Sequence, residues 1–151
     1  MLGNTNKVQT GCDWMREDIF LGPNITGSRK SDDYIVYTMR DETGDGIMTC
    51  YEVFPGILLM YNDFHMQHCH SGFRPPADMV GIDHCRVGRI EWEFRKGSYM
   101  YLQAGDLQIS SKYHHTVRFG FPLNHYHGIT IAVFVEEAQS TLAGIMDGLS
   151  V

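Results

Sequence analysis

Between residues 78 and 134, apolar and polar positions alternate in short runs separated by Gly, Asp or Lys. The runs are Met79-Val80-Gly81-Ile82-Asp83-His84-Cys85, Arg89-Ile90-Glu91-Trp92-Glu93-Phe94-Arg95, Ser98-Tyr99-Met100-Tyr101-Leu102, Gly105-Asp106-Leu107-Gln108-Ile109 and Gly128-Ile129-Thr130-Ile131-Ala132-Val133-Phe134. Short runs of period two with turn residues between them predict the antiparallel strands of a barrel or jelly roll. Upstream, residues 34–39 alternate in the same way, and Ile47, Thr49, Tyr51 and Val53 share one face of the next strand. Over residues 57–64, Ile57, Leu59, Tyr61 and Asp63 face one way and Leu58, Met60, Asn62 and Phe64 the other. Both faces are largely apolar, which predicts a strand covered on two sides. In the run 89–95, Ile90, Trp92 and Phe94 share one face and Arg89, Glu91, Glu93 and Arg95 share the other. The charged face either meets solvent or enters a polar ligand cavity, and alternation is compatible with both. From residue 136 onward the period lengthens: Ala138, Leu142, Ile145 and Met146 recur at helical spacing and predict an amphipathic C-terminal helix.

The ends and joints of the pattern set the domain organisation. Residues 1–33 are weakly patterned, with a short helix expected over 13–20 around Trp14 and Ile19, a break at Gly22-Pro23-Asn24 and a polar loop after Gly27. Gly72-Phe73-Arg74-Pro75-Pro76 is expected to be a loop at the barrel mouth, since its prolines exclude a central strand. The expected organisation is an N-terminal arm over 1–33, a barrel over 34–136 and a helix over 137–151.

Composition narrows the class. A chain of 151 residues makes one domain of ordinary size. Its 12 Lys plus Arg against 18 Asp plus Glu give a net charge of −6, which disfavours a polyanionic partner. Cys12, Cys50, Cys69 and Cys85 have wide spacings with no CxxC, so free thiols in a reducing compartment are expected. The polar N-terminus lacks a signal-peptide core and no apolar run reaches membrane-spanning length, so the expectation is a cytoplasmic protein.

Several groups suggest chemistry. Asp41, Asp45, Gly46 and Glu52 stand at positions one, five, six and twelve of a calcium-binding EF-hand loop. Thr43 departs from that pattern at position three. The flanks alternate as strands where an EF-hand needs helices, so a hairpin turn is expected. Potential metal ligands gather at His65-Met66-Gln67-His68-Cys69-His70, at His114-His115 and at His125-Tyr126-His127. No GxSxG, P-loop, GxGxxG or HExxH occurs, so an enzyme is not expected.

One ordered set of segments carries a resemblance. The runs HCRVGRIEWEF, YMYLQAGDLQIS and FPLNHYHGITI, preceded by RDETGDGIMTCYEVFPGILLMYNDFH, resemble the N-terminal, cupin-like sensor domain of AraC-family transcription regulators. The resemblance implies a cupin-like jelly-roll barrel with a C-terminal helix, binding a small-molecule effector and forming a homodimer. It also implies that DNA is contacted only through a C-terminal helix-turn-helix domain, which would need about a hundred further residues. Metal-binding cupins place an HxH pair early in their first motif, followed by a Glu. The equivalent segment here, Asp83-His84-Cys85-Arg86, has one His, with Glu91 or Glu93 as the carboxylate. The site is therefore expected to hold no metal and no other cofactor. A small metal-dependent cupin enzyme, an isomerase or dioxygenase, is the alternative. In the arabinose-responsive member of the family, a strand reading Thr-Ile-Arg-Gly lies under the sugar. The matching step here is His84-Cys85-Arg86-Val87, and a Tyr-His pair is matched by Tyr126-His127. The implied effector site comprises Tyr61, His84, Arg86, Trp92, Tyr101 and His127: Arg as a planar donor fork, His as donor or acceptor, aromatics as walls. The change from Thr to His calls arabinose itself into question and leaves an anionic or polar effector equally open.

Overall fold

The computed structural model describes residues 23–70, 78–111 and 116–149. The helix expected over 13–20, Cys12, the loop over 72–76 and the pair His114-His115 lie outside the described residues.

Among the described residues, ten strands and one helix follow one another: β1 (Ile25–Lys30), β2 (Tyr34–Asp41), β3 (Gly44–Phe54), β4 (Ile57–His65), β5 (His68–His70), β6 (Met79–Phe94), β7 (Tyr99–Gln103), β8 (Leu107–Ser111), β9 (Thr116–Gly120), β10 (Tyr126–Phe134) and α1 (Val135–Leu149). All described pairings are antiparallel. One layer runs β1-β2-β3-β4-β10-β6-β8, and the other runs β5-β9-β6-β7. This is the cupin-like, mainly β jelly roll with a C-terminal helix that the sequence predicts.

β6 belongs to both layers and decides their geometry. Its first half pairs with β10 and β8, its second half with β7 and β9. The expected separate runs, 79–85 and 89–95, are therefore one 16-residue strand that turns a corner. Two features make the corner. Opposite β10 the register passes from Cys85↔Gly128 to Val87↔His127, leaving Arg86 as the extra residue of a β-bulge. Gly88 then takes φ +81°, a left-handed conformation that side chains with a Cβ rarely adopt. The turn between β7 and β8 clamps the same spot: the Cys85 N–H donates to the Asp106 carbonyl, and the Gly105 N–H donates to the Cys85 carbonyl.

Two buried clusters fill the barrel. Ile35, Tyr37, Cys50, Leu58, Met60, Ala132 and Phe134 form one; the other centres on Phe64, Met66, Cys85, Ile90, Trp92, Phe121 and Tyr126. Thus Leu58, Met60, Asn62 and Phe64 are the inner face of β4, while Tyr61 and Asp63 are exposed. The expectation that β4 is covered on both sides is corrected accordingly. The face of β3 that carries Ile47, Thr49, Tyr51 and Val53 points outward, and Gly46, Met48 and Cys50 point in.

Other expectations meet the structure as follows. The acidic turn at 41–44 joins β2 to β3 as a hairpin, with the Thr43 N–H and hydroxyl both donating to Asp41 Oδ1 at 2.7 and 2.6 Å. Neither flank is helical, so the EF-hand pattern is coincidental. The polar segment after Gly27, read as loop, contributes to edge strand β1, because pairing with β2 satisfies its backbone without requiring apolar side chains. β5 and β9, which alternation did not reveal, pair with each other. Cys50, Cys69 and Cys85 are buried free thiols.

Candidate functional site

The two clusters leave a cavity of about 480 Å³ between the layers. Its walls are apolar and unusually soft: Met39, Met48, Met60, Met79 and Met100 line it, together with the aromatic rings of Phe64, Trp92, Phe94, Phe119 and Tyr126. Unbranched thioether side chains re-pack around differently shaped guests at little strain. The volume lies within the range of small-molecule sites.

A polar row crosses this apolar chamber on three adjacent strands. Asn62 on β4 donates through Nδ2 to Thr130 Oγ1 on β10 at 3.2 Å, and Thr130 Oγ1 donates to Asp83 Oδ1 on β6 at 2.7 Å. The strand register requires this neighbourhood, since Thr130 is the β10 partner of both Met60 and Asp83. The direction of the bonds follows from chemistry. An amide nitrogen is a donor, so the Thr130 oxygen accepts from it and its single proton is committed to Asp83. Gln108, the β8 partner of Asp83, and Ser110 extend the polar strip along the wall. Burial pushes the Asp83 carboxyl above the usual carboxylate range, with the Thr130 hydrogen bond opposing that shift. Burial also holds the Tyr126 phenol well above its ordinary range, reinforced by nearby Asp83 and Cys85. Cys69, on the same wall, has its thiol pushed up to about 12 by burial, which favours the protonated thiol at neutral pH.

A raised carboxyl makes a signed prediction about stability. The native state holds the Asp83 proton more tightly than the unfolded chain, so this contribution is fully present below the unfolded value of 3.8. It is lost as pH rises through the higher folded value. Among the described residues, Tyr126 and His70 are the other titratable side chains on the cavity wall besides Cys69. We expect Asp83→Asn, which keeps an acceptor for Thr130, to raise the melting temperature at pH 7. That gain should shrink as pH falls toward 4. Calorimetric melts of both proteins across this range check it; a gain that grows on acidification would contradict the burial argument.

Of the six effector-site residues expected from sequence, Trp92 lines the cavity. The other five occupy the outer surface. Tyr61 is 41 % exposed and stands in an outer tyrosine row, its ring 6.0 Å from that of Tyr51. Tyr101 is 54 % exposed, with the Arg89 guanidinium 3.9 Å above its ring. Arg86 is the exposed residue of the bulge. His84 and His127 belong to the outward phase of β6 and β10: they alternate with inward Asp83 and Cys85 and with inward Tyr126 and Gly128. The charged face of β6 is also outside, where Arg89 bonds Glu91 at 3.0 Å and Glu93 faces Arg118 at 4.0 Å. The missed residues are Asn62, Asp83 and Thr130. A polar residue standing in the apolar phase of a strand, such as Asn62 between Met60 and Phe64, was the available signal.

His70, Cys69 and Asp83 reach the cavity, but among the described residues the three metal-ligating side chains whose ligand atoms gather are Asp63, His65 and His125. Asp63 and His65 are on the outer surface of β4, and His125 is half-buried just before β10. There Asp63 Oδ1 lies 3.0 Å from His65 Nε2 and 3.4 Å from His125 Nε2, and the two imidazoles stack at 4.3 Å. The carboxylate thus already gives both rings a partner.

No protein-family profile and no curated protein matches the sequence. Among solved structures, the chain is similar to the EutQ protein of Clostridium difficile, at 14 % identity and TM-score 0.45 over 62 % of this chain and 66 % of that one. It is similar to a cupin 2 conserved barrel domain protein of Salinispora arenicola, at 11 % identity and TM-score 0.47 over 60 % and 77 %. It is also similar to an HTH_3 family transcriptional regulator of Vibrio cholerae, at 17 % identity and TM-score 0.42, over 57 % of this chain and 50 % of the regulator. The chain therefore spans about half the length of that regulator. By its own two-layered architecture, with β6 shared between the layers, the chain has a cupin-like jelly-roll fold.

Proposed function

We propose that this domain binds a small effector inside the barrel and serves as the sensor of an AraC-type transcription regulator. The observation that carries the reading is the cavity: about 480 Å³ of apolar, methionine-rich space crossed by the Asn62–Thr130–Asp83 row. A polar row inside apolar walls fixes the orientation of a guest and supplies specificity, while the walls supply affinity. The ordered resemblance of the segments supports assigning that guest a regulatory role. No residue is assigned a catalytic role in this reading.

The regulator would work as a homodimer and contact DNA only through a helix-turn-helix domain not among these 151 residues. On α1, Leu142, Ile145 and Leu149 are exposed at helical spacing, whereas Ala138 is its buried residue. A second copy of this helix would cover that face, as paired half-sites in DNA call for a symmetric protein. Sedimentation equilibrium should show a dimer that Leu142→Glu with Ile145→Glu converts to monomer. A monomeric parent at high micromolar concentration would count against α1 as the interface.

The sensor reading is tested by a thermal-shift screen of metabolites. At least one compound should stabilise the domain in proportion to its occupancy, by about 2.7 kcal/mol at a hundredfold excess over Kd. A screen in which nothing stabilises, or in which turnover depends on added metal, would oppose it.

A further inference from the structure

We infer that the ligand of this cavity is an apolar cation, a hydrophobic amine whose ammonium group meets Asp83. The inference rests on the cavity's being a binding site and names the chemical class it takes. Among the described residues lining the cavity there is one carboxylate, Asp83, and no Lys or Arg. One Asp83 oxygen accepts the Thr130 proton; the other, Oδ2, lies on the side of Gly81, where a Cβ would be 3.8 Å away. Among the described residues no side-chain cation pairs with Asp83. With one hydrogen bond and no paired side-chain cation among the described residues, the carboxylate has countercharge and a charge-assisted donor still to gain, and an ammonium supplies both. An anionic guest would meet like charge in a medium that screens it poorly.

The walls point the same way. Trp92, Phe94, Phe119, Phe64 and Tyr126 line the chamber, and an aromatic ring attracts a cation placed over its face. The polar row also has the right polarity. Asn62 donates to Thr130 and Thr130 donates to Asp83, so both protons point toward the carboxylate and favour its charged, accepting form. A neutral guest would leave that charge uncompensated, whereas an amine completes it.

The test uses matched probes with one apolar body: tryptamine, the neutral alcohol tryptophol and indole-3-propionate, titrated calorimetrically at pH 7. Tryptamine should bind about 10- to 100-fold more tightly than either counterpart, the range of a charge-assisted hydrogen bond. Asp83→Asn should remove that preference. Ser110→Lys, which places a cation on β8 beside Gly81 and Asp83, should do the same without altering Asp83. Equal or tighter binding of the alcohol or the acid, an amine preference that survives Asp83→Asn, or no binding of tryptamine would each overturn the inference. In all three cases the sensor reading is judged separately by the metabolite screen, which is blind to charge class.

Discussion

Gly88→Val is expected to abolish the folded barrel. At φ +81° any Cβ is strained, by about 1–2 kcal/mol in this region for an L-residue. At Gly88 a Cβ would also stand 1.9 Å from the His125 carbonyl oxygen. The obstructing atom is backbone and cannot rotate away. Gly88 is the register partner of Tyr126, so relief requires the β6–β10 ladder to open at the corner where both layers meet. The combined cost exceeds about 4 kcal/mol, the level reserved for a few severe mechanisms, against a total stability of order 5–15 kcal/mol. Gly97 provides the control. It has φ +75°, but among the described residues nothing lies within 4 Å of its Cβ position, so Gly97→Ala should cost the backbone strain alone. Circular-dichroism melts of the two variants separate the effects; a Gly88→Val protein melting within a few degrees of the parent would mean that β6 does not turn where we place it.

Gly81→Leu is expected to eliminate ligand binding while leaving the barrel folded. Gly81 is buried on β6 two residues before Asp83 and lines the cavity. A Cβ there would meet Ser110 Oγ at 3.5 Å and Asp83 Oδ2 at 3.8 Å, both ordinary contacts, so the backbone accepts a side chain. The remaining leucine carbons project into space a guest would use, beside the polar row. A single methylene misfit in an apolar pocket costs about 10- to 200-fold, so a leucyl side chain should weaken binding of any stabilising compound by at least about 100-fold. Far-ultraviolet circular dichroism should be unchanged. Undiminished affinity would locate the ligand elsewhere.

Most strands and the terminal helix were legible from alternation and helical spacing, although the polar edge strand β1 and the short strands β5 and β9 escaped it. The site was not, and the reason is local. On an unbroken β6, Trp92 and Ile90 would share their face with His84 and Arg86, which makes those two residues natural pocket members. The bulge at Arg86 and the bend at Gly88 insert a change of phase, so the face that carries Ile90 and Trp92 continues through Cys85, Asp83 and Gly81. One extra residue thereby exchanges His84 for Asp83. On β4 the difficulty is different: Leu59 and Tyr61 make the outer face nearly as apolar as the inner, so periodicity has no polar phase to read. Resemblance to a family does not resolve either ambiguity, because it transfers residues by sequence position and not by the face they occupy.

The central claim, that a small molecule enters between the layers, is tested most directly by methyl NMR of the nine methionines. Met39, Met48, Met60, Met79 and Met100 line the cavity, Met66 is buried outside it, and Met146 is on α1. Titration with the compound giving the largest thermal shift should move the five cavity methyl signals together, with one dissociation constant, and leave Met66 and Met146 in place. Saturable binding that leaves all five cavity signals unmoved, or that shifts Met146 alone, would contradict the account.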